Sequence, residues 1–220
     1  MQFSFEFVLE TLPALIAAAG VTIRVAAITI ALSLFFGTVL TIVRALKIRP
    51  VNVAISIYIS FIRGTPLLVQ IFLAYYALPA LGIRLGPVTA GVLAITANNA
   101  AFMTEIFRGA LASIPPGQIE AAASLGLKPR AIWLKVVLPQ LYMRSLPAIV
   151  NECTIVIKGT ALLAVITVVE VFRTAQQIGS SSFRPFETFV AAGIVFLGLC
   201  LIISQFGLWL ERRFALRRGT

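Results

Sequence analysis

Gly20-Val-Thr-Ile-Arg-Val-Ala-Ala-Ile-Thr-Ile-Ala-Leu-Ser-Leu-Phe-Phe-Gly-Thr-Val-Leu-Thr-Ile-Val43 holds one charged side chain, Arg24, in 24 positions. A helix rises about 1.5 Å per residue and the hydrocarbon core of a bilayer is about 30 Å thick, so about 20 apolar residues cross it. The stretch reads as a membrane span. Four others follow: Val51 to Leu81, Pro87 to Leu111, Leu141 to Val169 and Thr188 to Leu210, each bounded by Pro, Gly or clustered charge. Upstream, Met1 to Ala19 lacks a basic n-region and runs on into the first span, unlike a cleaved signal peptide. It is expected to stay attached as an interfacial lead-in with Phe3, Phe5, Phe7, Glu6 and Glu10. The expected fold is all-α integral membrane, with about five transmembrane helices in one domain over residues 1–220.

Composition agrees. Of 220 residues, 60% are hydrophobic and only 12% charged, with a mean hydropathy of +1.01; a soluble globule carries about twice that share of charge. A free cytosolic or secreted enzyme is excluded on that ground. His and Asp are both absent, all eight acids being Glu, which removes most metal sites and Ser/His/Asp triads. No metal or cofactor is expected in this chain, and no catalysis by it alone. Cys153 and Cys200 sit in apolar runs without a CxxC spacing and read as small buried hydrophobes.

Lys and Arg are retained in cytoplasmic loops. One side of the expected spans holds Arg44, Lys47, Arg49, Arg108, Lys128, Arg130, Lys135, Arg144, Arg212, Arg213, Arg217 and Arg218, and the other only Arg84, Arg173 and Arg184. The bias places the N-terminus outside and the C-terminus inside. The formal charge of +10 then reflects anionic lipid and the membrane potential rather than nucleic acid.

The loop between the third and fourth spans, residues 113–139, is neither a short turn nor a greasy span. Pro115 and Pro116 can open a helix, Ala121 to Ala123 favour it, and Gly126 can close it in the left-handed position. Pro129 can start a second helix, with Ile132, Trp133 and Val136, expected to stop before Pro139, which has no amide hydrogen. Two helices meeting at a glycine form an exposed elbow on the cytoplasmic side; the alternative is an Ala-rich solvated linker.

Glu120-Ala121-Ala122, then Gly126 after three residues, then Val136-x-Leu138-Pro139 after nine more, resemble the EAA motif of ABC importer permeases, with Val136 in place of the usual Ile. Arg63-Gly64-Thr65-Pro66-Leu67-Leu68-Val69-Gln70, Thr104-Glu105-Ile106-Phe107-Arg108-Gly109 and Pro185-Phe186-Glu187 are similar, in order, to segments of the polar amino acid permeases. The resemblance runs from about Gly20 to Leu210. It implies a type I importer fold in a bacterial plasma (inner) membrane, the elbow being a coupling helix seated in an ATP-binding subunit. It further implies two such subunits binding ATP and Mg, a second permease chain, identical or not, and a solute-binding protein delivering an amino acid. Glu120, Ala121, Ala122, Gly126, Leu138 and Pro139 are the expected coupling residues. No Gly-x-x-x-x-Gly-Lys-Ser/Thr occurs in this chain, so ATP is expected to be handled elsewhere.

Charged groups at bilayer depth cost about 2.5 to 3.5 kcal/mol each on insertion scales, so they face partners or water. In the third span Gly91, Ala94, Asn98, Ala101, Glu105, Arg108 and Ala112 recur at spacings of three and four, one small, polar stripe. It is expected to face protein or a water path, Asn98 near mid-depth; the alternative is helix packing with Glu105 and Arg108 paired locally. In the fourth, Asn151, Thr154 and Lys158 share a face and Glu152 lies about 100° round from Asn151. The resemblance extends here to Asn151, Glu152, Lys158, Thr160 and Leu162, with Gly159 and Ala161 departing from the family pattern. Glu152 suits a cationic group of a substrate, or a buried ion pair with Arg63 or Lys158. Arg63-Gly64-Thr65-Pro66 breaks the second span, Thr65 as cap and Pro66 as first residue of a half-helix whose free amides can receive a carboxylate; otherwise it is a packing kink. Arg24 is expected to snorkel to the headgroups.

The candidate substrate residues are thus Glu152, Asn98, Arg63, Thr65, Asn151, Lys158 and Glu105, and a basic amino acid is the expected cargo, by alternating access. The competing reading is a self-sufficient ion-coupled carrier using Glu105 and Glu152, against which stand an odd span number and no visible repeat. A purely structural anchor does not call for so many aligned intramembrane polar groups.

Overall fold

The computed structural model describes residues 3–215, all helices and connections with no strand among the described residues. Arg217 and Arg218, two of the basic residues in the charge bias, lie outside them. The helices are α1 (Phe5–Ala45), α2 (Arg49–Gly64), α3 (Leu67–Phe72), α4 (Pro87–Ala112), α5 (Pro116–Ser124), α6 (Pro129–Ile132), α7 (Leu138–Gly159), α8 (Val171–Ser182) and α9 (Pro185–Ala215).

α1 begins where Ser4 caps it, its hydroxyl accepting from the Phe7 amide at 3.2 Å, and runs 41 residues without a break. The segment expected as a lead-in is helix from Phe5 onward, continuous with the first span. Val8, Leu15 and Ala19 are buried against Val171, Ala175, Ala191 and Ala192 of α8 and α9, and this packing continues the rod past Gly20. Along its whole length α1 buries Val8, Thr11, Leu15, Ala19, Thr22, Ala26, Thr29, Ser33, Gly37 and Thr41, a seam of small side chains at steps of three and four. Its main partner is α4. Ser33 Oγ donates to Thr96 O at 3.4 Å and Arg44 meets Glu105, so the two helices run parallel. At Gly37 a Cβ would stand 2.6 Å from Met103 Cβ, which is why that position has no side chain.

Three helices are long and apolar enough to cross a membrane, Phe5–Ala45, Pro129–Ile166 and Pro185–Arg213, or four if the pair Arg49–Gly64 and Leu67–Leu81 counts as one. Five were expected, and two differ in kind. The second is bent by 110° at its break, so it is no straight rod. The third, α4, has the length, 26 residues, but not the apolarity. It buries Thr96, Asn99 and Thr104 among its protein neighbours, and a helix sheathed by protein need not be greasy all round.

The fourth expected span also differs at both ends. Instead of stopping before Pro139, the helix from Pro129 passes through a wider turn, Trp133–Val137, into α7, the Leu138 amide bonding to Trp133 O five residues back. A turn widened by one residue frees the carbonyl that a proline ring would otherwise strike. At the far end α7 stops at Gly159, tightens over Thr160–Ile166 and closes with Thr167 left-handed at φ 67. Val168 is buried in the α1/α4/α7 core, and Glu170 then caps α8, a helix absent from the sequence reading. Both Glu170 carboxylate oxygens accept backbone amides, from Phe172 at 2.9 Å and Arg173 at 2.8 Å.

Candidate functional site

α4 carries Asn98 and Asn99 in succession, and the 100° step between neighbours on a helix sends them to different partners. Asn98 Nδ2 donates to Gln70 Oε1 at 2.9 Å. Gln70 is 7% exposed, and its Nε2 reaches Ile62 O, Thr65 O and Thr65 Oγ1 at 2.9, 3.1 and 2.9 Å. One amide thus ties together the two sides of the broken helix, covering carbonyls that the bend strips of helical partners. Thr65 does not cap the following half-helix as expected. It ends α2 in extended conformation, its hydroxyl donating back to Phe61 O at 2.8 Å, and Pro66 occupies the cap with Leu67 first in the helix.

Asn99, which the sequence reading passed over, faces α7. Its Nδ2 donates to Glu152 Oε2 at 2.7 Å, and both side chains are buried, at 2% and 8% exposure. Asn99 Oδ1 is sealed from solvent with no partner among the described residues. The signal that could have found Asn99 was the Asn pair itself, since two consecutive amides in a membrane helix cannot both be spectators.

The remaining candidates are dispersed. Asn151 and Lys158 are exposed on the outer side of α7, away from Glu152. Arg63 is exposed, its guanidinium carbon 5.7 Å from the Phe102 ring centroid. The alternative reading of Glu152, an ion pair with Arg63 or Lys158, is absent among the described residues, where the ion pairs are those of Glu105. Glu105 is bound by Arg44 at 2.5 Å and by Arg108 at 3.0 Å. Its carboxylate joins the ends of α1 and α4, which accounts for it without a substrate. Arg24 Nε donates to Gly20 O at 3.0 Å and its side chain is exposed. Cys153 and Cys200 are free thiols, half-buried rather than buried as expected.

The segment expected to form an elbow has the following geometry. Pro115 precedes α5 and Gly126, at φ +78, follows its last residues. The Gly126 amide bonds to Ala123 O at 2.9 Å and the Leu127 amide to Ala122 O at 3.2 Å, the paired closure that a left-handed residue permits at a helix end. Ala122 is buried against Ile114, Ile132 and Val137. Glu120, Ala121, Ala123 and Ser124 face outward and Leu125 is 83% exposed. Leu138 is half-buried and Pro139 exposed. Arg144 of α7 donates to Ser113 O at 2.9 Å and Gln140 Nε2 to Gln118 Oε1 at 2.6 Å, so the elbow is stapled to α7 at its base.

Residues 37–216 match the family model described as "Binding-protein-dependent transport system inner membrane component". The chain is 36% identical over 216 residues to the probable amino-acid ABC transporter permease protein PatM of Vibrio harveyi, covering 97% of each. It is 36% identical to the L-cystine transport system permease protein TcyB of Bacillus subtilis, covering 83% of this chain and 80% of that one. With the arginine transport system permease protein ArtQ of the same organism it shares 31% over 97% and 98%. A crystal structure of an amino acid ABC transporter superposes with a TM-score of 0.87 at 31% identity, over 97% of this chain and all of that one. With PatM, ArtQ and the solved transporter matched nearly end to end on a frame of apolar helices and a broken helix, the chain belongs to the binding-protein-dependent transport system inner membrane components and is a multi-pass amino acid ABC transporter permease of the inner membrane.

Proposed function

We propose that this chain forms the amino acid pathway of an ATP-driven importer that favours basic cargo, and that it hydrolyses no ATP itself. Two ATP-binding subunits carrying ATP and Mg grip the elbow at Glu120 to Gly126, a second permease chain completes the pathway, and a solute-binding protein delivers substrate from outside. The N-terminus outside and C-terminus inside belong to this reading. The observation that carries it is the Asn98-Asn99 pair, which joins α4 to the broken helix through Gln70 on one side and to α7 through Glu152 on the other.

The elbow and Glu152 share one helical run. From Pro129 to Glu152 is 23 residues, or about 35 Å at 1.5 Å each. A displacement of the elbow therefore reaches Glu152 along a helical run interrupted by the wide turn at Trp133–Val137, a feature common at hinges, and by Pro147 inside α7. Glu152 is buried beside an acceptor, Asn99 Oδ1, that has no donor. Two acceptors in a buried site suit an ammonium or guanidinium group, present as the α-amino group of every amino acid and again on a basic side chain. The arginine-named relative favours the second possibility, and the cystine-named one fits the first.

The test is ATPase stimulation in the complex reconstituted with its ATP-binding subunits. Arginine or lysine is expected to stimulate more than glutamine, and Glu152→Gln to abolish the difference while the complex still assembles. Equal stimulation by all three in the unaltered complex removes the basic preference. Uptake along an ion gradient by the chain alone, without ATP, overturns the importer reading itself.

A further inference from the structure

α2 presents a face that no other described element covers. A groove of 930 Å³ is lined by Lys47, Arg49, Val53, Ser56, Ile57 and Phe61, among others. Its two halves differ in chemistry. At the α1–α2 turn stand Lys47 and Arg49, neither with a carboxylate partner among the described residues. Further along, Val53, Ile57 and Phe61 follow at steps of four with exposures of 53%, 65% and 53%, and the small Ser56 lines the groove beside them. The mouth is held in shape: Lys47 is left-handed at φ 57, its amide bonds to Arg44 O at 3.2 Å, and Asn52 Nδ2 donates to the same carbonyl at 3.1 Å.

We infer that this groove binds one anionic phospholipid of the leaflet that meets the α1–α2 turn. Charge and depth both select that occupant. Two unpaired cations and the amide end of a 16-residue helix offer a phosphate its counter-charges. From Arg49 to Phe61 is twelve residues, about 18 Å, against about 15 Å for the hydrocarbon of one leaflet. A headgroup at Lys47 and Arg49 thus lays its acyl chain along Val53, Ile57 and Phe61. A soluble anion would use only the basic end, and a second copy of this chain would have to bring carboxylates to Lys47 and Arg49.

The experiment is native mass spectrometry of the full-length chain in detergent, titrated with phosphatidylglycerol or with phosphatidylcholine of the same acyl chains. Phosphatidylglycerol is expected to bind about 30-fold more tightly, losing about five-fold with each of Lys47→Gln and Arg49→Gln. Ile57→Trp, which fills the groove and keeps both charges, is expected to weaken retention as well, and Arg212→Gln with Arg213→Gln to leave it unchanged. Equal retention of the two lipids, or indifference to Lys47→Gln and Arg49→Gln, overturns the site. So does displacement of the lipid by glycerol phosphate alone, which marks a soluble-anion site. Chain-to-chain cross-linking through Ser56→Cys in native membranes also overturns it, since the face is then an interface between copies.

Discussion

Asn99 Nδ2 donates to Glu152 Oε2 over 2.7 Å between α4 and α7, and it is the only side-chain hydrogen bond that Glu152 makes among the described residues. Remove the amide and a buried carboxylate is left with no donor, a defect that costs about 1–3 kcal/mol. Asn99→Leu is therefore expected to lower the thermal unfolding midpoint in detergent more than Asn99→Leu combined with Glu152→Leu does relative to Glu152→Leu alone. A coupling above about 0.5 kcal/mol in that cycle supports direct dependence, and additivity refutes it.

Gln70→Leu removes the bridge across the 110° break. Carbonyls of Ile62 and Thr65 then lose a donor, and Asn98 loses its acceptor. The expected loss is about 2 kcal/mol or more, with faster amide exchange over residues 62–70 by mass spectrometry. Unchanged exchange there argues that the bend is held by something other than Gln70.

At Gly126 a Cβ would meet nothing within 4 Å, so a substitution there is penalised only through its φ of +78. Gly126→Val is expected to cost about 1–2 kcal/mol and Gly126→Asn clearly less, because Asn tolerates the left-handed region. ATPase stimulation should fall in the same order. Equal effects of Val and Asn would mean that the elbow does not need this conformation.

Gly37→Ala puts a Cβ 2.6 Å from Met103 Cβ, with Thr104 N and Ala100 O at 3.4 and 3.5 Å. Forcing α1 from α4 is expected to cost about 1–3 kcal/mol. Because the obstacle is Cβ itself, Met103→Ala does not relieve it, whereas Met103→Gly does in part. Thermal unfolding of the three combinations decides the matter.

Glu170 lies between the spans at the head of α8, 1% exposed. Burial pushes its carboxyl above the ordinary 4.5, opposed by the Phe172 and Arg173 amides. The folded chain then holds that proton more readily than the unfolded one, so the stabilising contribution is present at and below pH 4.5 and is lost as pH rises through the higher folded value. Unfolding of Glu170→Gln is expected to be less pH-dependent above pH 4.5 than that of the unaltered chain. Parallel curves would place the titration elsewhere.

The longest apolar helices, the left-handed Gly126 and the break at Gly64 to Pro66 were legible in the sequence, because each follows from local rules: the apolar length of a helix, the conformations open to Gly, the missing hydrogen of Pro. Glu152 was legible too, since a carboxylate in an apolar run demands a partner. Its partner was not. Asn98 and Asn99 have the same chemistry and stand side by side, and only the rotation of α4 against α7 decided which one meets Glu152 and which one meets Gln70. Packing likewise decided that α1 runs unbroken from Phe5, that Glu105 is consumed by Arg44 from 61 positions away, and that the helix crosses Pro139 by widening a turn. Periodicity fixes which residues share a face; what lies opposite that face is set by the other helices, at distances along the chain that no local pattern encodes.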